Sequence, residues 1–476
     1  MKYDYDLVVI GGGAAGLVAA TGGASLGAKT ALIERDKLGG DCTLHGCVPS
    51  KTLLRSSYVY SLVKRLEDFG ISPLKDVKYD TSEVMSHVRG MVKRIESHHP
   101  PEVFEERGIK VLFGDPKFID ANTIVLDGER IRAKRYIICT GSHPMIPPIE
   151  GLGSIEYLTN ENIFDLKEVP ESLVVLGGGA IGAELSQAFS RLGCKVTLIE
   201  MFDRILFKDD EEVAWIVSES LSREDIEIIT GMKAVKVEDS GNGVVVELKS
   251  EKGEERSVEA EKVLVATGRA PNLEGLDLEK ADVKYYHTGI EVDDALRTSA
   301  KNIYAAGDVA GPYPFSHMAE YQAIIAVGNA LFPFKRKVNY DAVAWCTFTY
   351  PELAHMGLTE EEARAKYKKI KIFKADYSSN DRAVTDLEET GFAKVICDKK
   401  GRILGAHIAG ANAGELIHEY VLAKSAGLKI GSLSSAVHVY PTLSQVVKRT
   451  ADEYYTGMLS SRGFRFLSWI MLKFLR

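Results

Sequence analysis

The stretch LVVIGGGAAG, residues 7–16, decides how the chain begins to fold. Its four apolar residues predict a buried strand, and the glycines and alanines after them predict a tight turn that enters a helix. The spacing of Gly11, Gly13 and Gly16 suits a sharp turn, close approach of a pyrophosphate and tight packing of helix on strand. The next strand, TALIE, ends at Glu34, whose carboxylate is placed to accept hydrogen bonds from a ribose. Together these features predict a dinucleotide-binding unit.

The same device recurs in the middle of the chain. LVVL at residues 173–176 precedes GGGAIG at 177–182, and KVTLIE supplies a second acidic strand end at Glu200. We therefore predict two dinucleotide sites. Three further strand ends are explained about equally well by an ordinary turn after a strand and by cofactor binding. These ends are Thr140-Gly141-Ser142, Thr267-Gly268-Arg269 and Gly307-Asp308.

Length and composition narrow the class of protein. A chain of 476 residues predicts two to four domains. The 59 basic and 67 acidic residues give a net charge of −8, which argues against a nucleic-acid-binding surface. Six cysteines are too few for a disulfide scaffold, and the N-terminal sequence has no export signal. We expect a cytoplasmic, reducing compartment.

Two of the six cysteines lie five positions apart in GGDCTLHGCVPSK, residues 39–51. A structural zinc site is disfavoured because the chain has no second closely spaced pair, and no metal site is predicted. Residues five apart on an ideal helix are too distant for a disulfide, so a bridge between Cys42 and Cys47 needs a distorted turn. Gly46 and Pro49 suit such a turn. A reversible redox pair is the favoured interpretation, with core packing open for either cysteine alone.

The order of these motifs resembles that of the pyridine nucleotide-disulfide oxidoreductases, flavoproteins that include dihydrolipoamide dehydrogenase, glutathione reductase and mercuric reductase. The resemblance runs from residue 5 to about residue 450. It implies an α/β fold with two Rossmann-like domains, an α+β dimerisation domain and a homodimer whose active sites use both chains. The expected FAD domain comprises residues 1–149 and 271–338, and the other expected segments are the NAD(P) domain, 150–270, the dimerisation domain, 339–455, and an amphipathic tail, 456–476.

The resemblance also implies roles for individual residues. Cys47 would be the thiolate against the flavin, Cys42 the thiol that exchanges with the acceptor, and Lys51 the partner of Glu184 near the flavin. Electrons would pass from the nicotinamide through FAD to the cysteine pair. NAD is favoured over NADP because Glu200 repels a 2′-phosphate, although Arg204 keeps NADPH open. The implied cofactor contacts are Gly11, Gly13, Ala15, Gly16, Glu34, Gly40, Lys51, Thr140, Gly141, Ser142, Gly177, Gly179, Ile181, Gly182, Glu200, Gly268, Gly307, Asp308, His317 and Ala319.

The C-terminal motif departs from the family pattern. Dithiol-handling members carry a His-Pro motif and a glutamate as an acid-base dyad, whereas this chain has Tyr440 and Gln445 at those positions. Tyrosine is a poor base at neutral pH. His438 is a candidate substitute, and an interface role for it is an equal alternative.

The departure leaves the electron acceptor open among a small disulfide, a persulfide, a quinone and a metal ion. Two specific activities of the family are alternatives: that of mercuric reductase and that of dihydrolipoamide dehydrogenase. Mercuric reductases use a C-terminal cysteine pair to deliver the metal, whereas this chain has no cysteine after Cys397. A hypothesis of another class is a non-catalytic, NADH-sensing flavoprotein.

The tail GFRFLSWIMLKFLR, residues 463–476, is too short and too charged to span a bilayer. Its aromatic and basic mixture fits a peripheral membrane contact, packing on a neighbouring subunit, or a helix on the protein's own surface. The third interpretation is favoured from the sequence.

Overall fold

The structure is a computed structural model that describes residues 2–74, 79–459 and 462–475. Its mixed helices and strands confirm the predicted α/β class, and its elements follow the predicted order. The N-terminal region contains β1 Tyr5–Ile10, α1 Ala14–Ser25, β2 Thr30–Glu34, α2 Gly40–Leu44, α3 Cys47–Lys64, α4 Thr81–Glu96, α5 Pro101–Glu105, β3 Ile109–Phe113, β4 Lys117–Asp120, β5 Thr123–Leu126, β6 Glu129–Ile138 and β7 Ser142–Pro144.

The middle and C-terminal elements continue this numbering. The middle contains β8 Ser172–Leu176, α6 Ala180–Arg191, β9 Lys195–Ile199, α7 Glu211–Arg223, β10 Glu227–Ile229, β11 Met232–Asp239, β12 Val244–Ser250, β13 Glu255–Ala260, β14 Lys262–Val265, β15 Arg269–Pro271, β16 Tyr285–Tyr286, β17 Gly289–Ile290, β18 Ile303–Ala305 and α8 Ser316–Leu331. The remainder contains β19 Ala344–Thr347, β20 Glu352–Gly357, α9 Glu360–Lys366, β21 Ile370–Asp376, α10 Asp381–Thr385, β22 Phe392–Asp398, β23 Ile403–Gly410, α11 Ala413–Ser425, α12 Ile430–Ser435, α13 Gln445–Leu459 and α14 Arg462–Phe474.

The first sheet is built around the opening strand. Strand β1 lies between β2 and β6 and runs parallel to both, with Val9 opposite Leu32 and Ile137. Strand β18, from much later in the chain, adds parallel to β6. The strand order is β3-β2-β1-β6-β5-β4. Because helices cover parallel strands on both faces, their residues are apolar without alternation, and Leu7 to Ile10 are all buried.

The second glycine-rich unit forms its own parallel sheet in the order β10-β9-β8-β14, accompanied by the antiparallel sheet β11-β12-β13. Strands β7 and β15 pair where the chain leaves and rejoins the first sheet. The C-terminal region contributes the antiparallel sheet β19-β20-β23-β22-β21. The domain boundaries given above stay predictions, but the return of β18 to the first sheet fits an inserted second unit.

A buried ion cluster joins the second unit to the C-terminal sheet. Lys394 on β22 is 1% exposed, and its Nζ lies 2.9 Å from Asp210 Oδ1, 2.5 Å from Glu212 Oε2 and 2.7 Å from Glu360 Oε2. These carboxylates offset the cost of burying the ammonium. The backbone N–H of Glu360 also donates to Asp210 at 3.0 Å.

Helix α14 follows α13 at the end of the described chain. Among the residues the structure describes, no helix has the length and the apolar character needed to cross a bilayer. The sequence-based interpretation of a terminal helix agrees with α14, and most of its large side chains are exposed.

Candidate active site

The two glycine-rich turns contain glycines of two kinds. Gly11 has φ +103°, and a Cβ on it would lie 2.3 Å from the carbonyl oxygen of Cys139, so the fold itself requires glycine there. Gly13 has an ordinary φ of −82°, and the nearest atom to a Cβ is 3.7 Å away. Gly179 has φ −74°, and nothing lies within 4 Å of its Cβ position. Neither strain nor internal packing explains Gly13 and Gly179, and both sit where phosphates approach a helix N-terminus. The turns therefore fit FAD and a pyridine nucleotide.

A carboxylate is fixed beside each turn. Glu34 Oε2 accepts a hydrogen bond from the N–H of Gly12 at 2.5 Å. Glu200 Oε2 accepts from the N–H of Gly178 at 2.7 Å, and the residue is 5% exposed. These bonds hold each carboxylate at its strand end, as the ribose interaction predicted from sequence requires.

The predicted cofactor residues that follow strands converge on the first unit. Gly307 has φ +82°, its N–H donates to Gln322 at 2.7 Å, and a Cβ on it would lie 3.3 Å from Ala15 and 3.4 Å from Ala319. A Cβ on Gly40 would lie 2.6 Å from the Cα of Gly13. These segments thus pack closely together, and a side chain at Gly40 would clash with the backbone of Gly13.

A polar network that the sequence did not predict lies beside these segments. The Ser142 hydroxyl donates to Asp308 Oδ2 at 2.6 Å and accepts from Arg269 Nε at 2.8 Å. Arg269 also pairs with Asp41 at 3.0 Å, and Asn160 donates to Asp41 at 3.1 Å. Asp41 immediately precedes Cys42, so Arg269 ties the cysteine segment to the Asp308 loop. The position of Arg269 directly after a Thr-Gly strand end was the available signal.

The remaining predicted residues are placed as follows. The Thr140 hydroxyl donates to the carbonyl of Asn272 at 2.8 Å, so it serves the protein's own turn. His317 Nε2 lies 2.8 Å from the carbonyl of Ala344, which leaves its backbone as the part available to a cofactor. Gly141 and Gly268 have φ of +70° and +137°, and Gly177 has φ +109°. A Cβ on Gly182 would lie 1.9 Å from the Gly177 carbonyl oxygen. Ile181 is half-buried in the first turn of α6.

The cysteine pair sits at a break between two helices. Cys42 lies on α2, and Cys47 is the first residue of α3. The break at His45 and Gly46 is the distorted turn that the sequence predicted, and a Cβ on Gly46 would lie 3.1 Å from the carbonyl oxygen of Asp41. Both cysteines are free thiols in the structure. At the N-terminus of α3, Cys47 is well placed for a thiolate because the helix dipole is positive there.

The two thiols differ in acidity. The pKa of Cys47 is lowered to about 6 by a hydrogen bond from the Cys42 thiol, by the Ser316 hydroxyl and by the Lys51 ammonium, which together outweigh the opposing effect of burial. The same hydrogen bond and burial raise the pKa of Cys42. The predicted roles of thiolate for Cys47 and exchanging thiol for Cys42 are consistent with this asymmetry.

Lys51 and Glu184 meet although they are far apart in sequence. Lys51 Nζ lies 2.8 Å from Glu184 Oε2, and the side chain of Glu184 is 5% exposed. Glu184 Oε1 also accepts from the backbone N–H of Phe348 at 2.8 Å. The carboxylate is thereby fixed from two domains, and it fixes the ammonium beside the thiolate. Because the carboxylate is buried, this contact is not an ordinary surface ion pair.

Ser316 provides a test of the thiolate. Its Oγ lies 3.7 Å from Cys47 Sγ. We expect alkylation of Cys47 by iodoacetamide, followed by mass spectrometry on the reduced protein, to titrate near pH 6, because a lowered pKa preserves the thiolate above that pH and loses it below. Ser316→Ala should move the midpoint upward, and Ser316→Thr should restore it. A wild-type midpoint near the ordinary thiol value of about 8.5 would contradict the assignment.

The two candidate bases near the C-terminus, Tyr440 and His438, contact different residues. Tyr440 is 64% exposed, and its hydroxyl donates to Asp381 Oδ2 at 2.9 Å, which raises the pKa of Tyr440. The side chain of His438 is 8% exposed, with Nε2 2.8 Å from Glu419 Oε2 and Nδ1 3.1 Å from the carbonyl oxygen of Ala436. Both ring nitrogens are therefore engaged within the same chain. Glu419 and Asp381 were missed, since nothing in the sequence pairs them with these residues.

Within the described ranges, no group of three or more His, Cys, Asp or Glu side chains is arranged to hold a metal ion.

Comparison with known proteins agrees with this geometry. Residues 5–326 match the family model for pyridine nucleotide-disulphide oxidoreductase, and residues 343–451 match the dimerisation domain of that family. A mercuric reductase from Staphylococcus aureus is 37% identical over 450 residues, covering 94% of this chain and 82% of the relative. A dihydrolipoyl dehydrogenase from Thermus scotoductus is 36% identical over 463 residues, covering 94% of this chain and 97% of the relative.

A solved structure has the same fold. The Cu(II) complex of the HOCl-induced flavoprotein disulfide reductase RclA from Escherichia coli is 26% identical, with a TM-score of 0.83 and coverage of 95% of this chain and 99% of that one. The dimerisation-domain match supports a homodimer. The chain belongs to the pyridine nucleotide-disulphide oxidoreductase family and is an NAD(P)H-dependent flavoprotein oxidoreductase that uses FAD and a pyridine nucleotide.

Proposed function

We propose that the protein is a cytoplasmic, NADH-dependent reductase that delivers electrons through Cys42 and Cys47 to a thiophilic metal ion. The observation that carries this proposal is the C-terminal motif: Tyr440 donates to Asp381, and His438 is held by Glu419 and by a backbone carbonyl. Neither side chain is free to act as the base that a dithiol acceptor requires.

Reduction of a metal ion avoids that requirement. A thiophilic ion binds to thiolates, and its reduction needs electrons but no proton transfer to the substrate. One NADH reduces one divalent ion such as Hg(II), which gives NAD⁺, a proton and the metal atom. Alternatively, one NADH reduces two Cu(II) ions, which gives NAD⁺, a proton and two Cu(I) ions. When bound, FAD and the nicotinamide supply the hydride and electron transfer. Cys42 and Cys47 supply the two sulfur ligands, and Lys51 offsets the negative charge of the thiolate.

The relatives support this acceptor class. Several share the name mercuric reductase, and the RclA structure is titled as a Cu(II) complex. In this proposal the ion reaches Cys42 from solution or from a small carrier. Dihydrolipoyl dehydrogenase relatives of similar identity make the dithiol reaction the competing candidate.

The preference for NADH rests on Glu200 and Arg204. The buried Glu200 carboxylate would repel the 2′-phosphate of NADPH. Arg204, the nearby cation that kept NADPH open, donates to the carbonyls of Leu206, Phe207 and Asp209 at 2.9, 2.9 and 3.0 Å. With its guanidinium engaged by its own loop, Arg204 offers little to a second phosphate.

An anaerobic titration tests both choices. The enzyme is reduced with NADH or NADPH, and absorbance follows its reoxidation by Hg(II), Cu(II), lipoamide and glutathione disulfide. We expect NADH to reduce the enzyme at lower concentrations than NADPH, and a metal ion to reoxidise it at least about tenfold faster than either disulfide. Faster reoxidation by lipoamide would overturn the metal-ion proposal, and equal efficiency of the two nucleotides would overturn the preference for NADH.

A further inference from the structure

The C-terminal helix α14 exposes more large apolar side chains than a solvent-facing helix normally does. Six are exposed within the helix and a seventh follows it directly. They are Phe466, Leu467, Trp469, Met471, Leu472, Phe474 and Leu475, with exposed fractions from 54% to 87%. Exposed apolar groups in such density mark a surface that binds something.

The sequence of α14 is amphipathic. Phe464, Leu467, Met471 and Phe474 recur at the spacing of one helix face, while Arg465 and Lys473 belong to the other side. Trp469 and Phe466 stack with their ring centroids 6.3 Å apart, and Lys473 Nζ lies 4.8 Å from the centre of the Trp469 ring. Trp469 lies on the same side of the helix as Arg465 and Lys473, and an aromatic ring beside a cation is typical of side chains at the headgroup level of a membrane interface.

The charge of this segment is opposite to that of the protein. The whole chain carries −8, yet residues 454–476 contain four basic residues, Arg462, Arg465, Lys473 and Arg476, and no acidic residue. A negatively charged surface would therefore attract the tail and repel the body of the protein. This complementarity selects a negative partner over a neutral apolar one.

We propose that α14 binds flat on a bilayer that contains anionic phospholipids, with its apolar face in the acyl boundary and its basic residues at the headgroups. The helix has 13 residues, whereas about 20 are needed to span the hydrocarbon core, so it lies on the membrane and does not cross it. The proposal is independent of the acceptor and of the choice of nucleotide.

Vesicle flotation tests this with the full-length holoenzyme. Vesicles of phosphatidylcholine alone are compared with vesicles that contain about one third phosphatidylglycerol, at low and high salt. We expect flotation only with the anionic vesicles and at least about fivefold less at high salt. Arg465→Glu with Lys473→Glu should abolish it, and so should Trp469→Ser with Phe474→Ser.

Matched controls use residues elsewhere in the chain. Lys399→Glu with Lys400→Glu changes two exposed lysines by the same charge, and Trp215→Ser removes an exposed tryptophan of α7. Both should float as the wild type does. All variants should keep their flavin absorbance, their dimer mass and NADH-dependent turnover of a soluble acceptor. Equal flotation with and without the tail substitutions would overturn the proposal. Loss of the dimer in the Trp469→Ser, Phe474→Ser variant would also overturn it, by showing that α14 packs on a second copy of the chain.

Discussion

Replacement of Cys47 by serine is expected to lower acceptor reduction by about a thousandfold or more, and replacement of Cys42 to do the same, because the two sulfurs act as one unit. NADH should still bleach the flavin absorbance in both variants, since that step does not use the thiols. Stopped-flow absorbance separates the two steps.

The matched control is Cys194→Ser. Cys194 is buried, its Sγ lies 3.8 Å from the carbonyl oxygen of Lys195, and burial raises the pKa of Cys194 to about 12, so it has no thiolate to contribute. Its substitution should leave turnover within about twofold of wild type. Undiminished reduction of every acceptor by the Cys42 and Cys47 variants would show that the electrons leave by another route.

The double substitution Tyr440→His, Gln445→Glu is expected to raise dihydrolipoamide turnover by about a hundredfold. It restores a base with a pKa near neutrality at a position where the native tyrosine has a raised pKa. Steady-state rates should acquire a rising limb with pH near about 6.5, the ordinary value for histidine.

Two further variants isolate the cause. Tyr440→Phe removes the bond to Asp381 without adding a base and should give no gain. Glu419→Ala leaves Tyr440 in place but removes the partner of His438 Nε2, so a large gain there would point to His438 as a latent base. If the double variant folds, binds FAD and still fails to turn over dihydrolipoamide faster, the missing dyad is not what limits that reaction.

The sequence was most informative where the chemistry is local. Gly11, Gly13 and Gly16 lie within six residues, and their spacing together with the apolar run before them predicts the strand, the turn and the helix that the structure contains. The break at Gly46 followed equally from the spacing of the cysteines. The contact of Lys51 with Glu184 spans 133 positions, and only the family resemblance predicted it.

Contacts between residues far apart in the chain leave no recognisable motif in the sequence. Ser316 reaches Cys47 across 269 positions, and Asp381 reaches Tyr440 across 59. Neither residue belongs to a spaced motif that includes its partner, because tertiary packing and not chain geometry brings them together. Tertiary packing also brings Glu419 to His438. With Glu419 and the carbonyl of Ala436 as partners, both ring nitrogens of this candidate base are engaged.

The buried ion cluster around Lys394 limits which domains can be exchanged between members of the family. The ammonium belongs to the C-terminal sheet, while Asp210 and Glu212 belong to the inserted nucleotide-binding unit. A chimaera with a second unit that lacks these carboxylates would leave Lys394 with Glu360 alone, and one with a C-terminal sheet that lacks the lysine would leave Asp210 buried without its ammonium; breaking a buried ion pair typically costs about 3–5 kcal/mol. Recombination between relatives would therefore preserve both parts of the cluster together, and grafting a new nucleotide specificity onto this protein would need to transplant it as well.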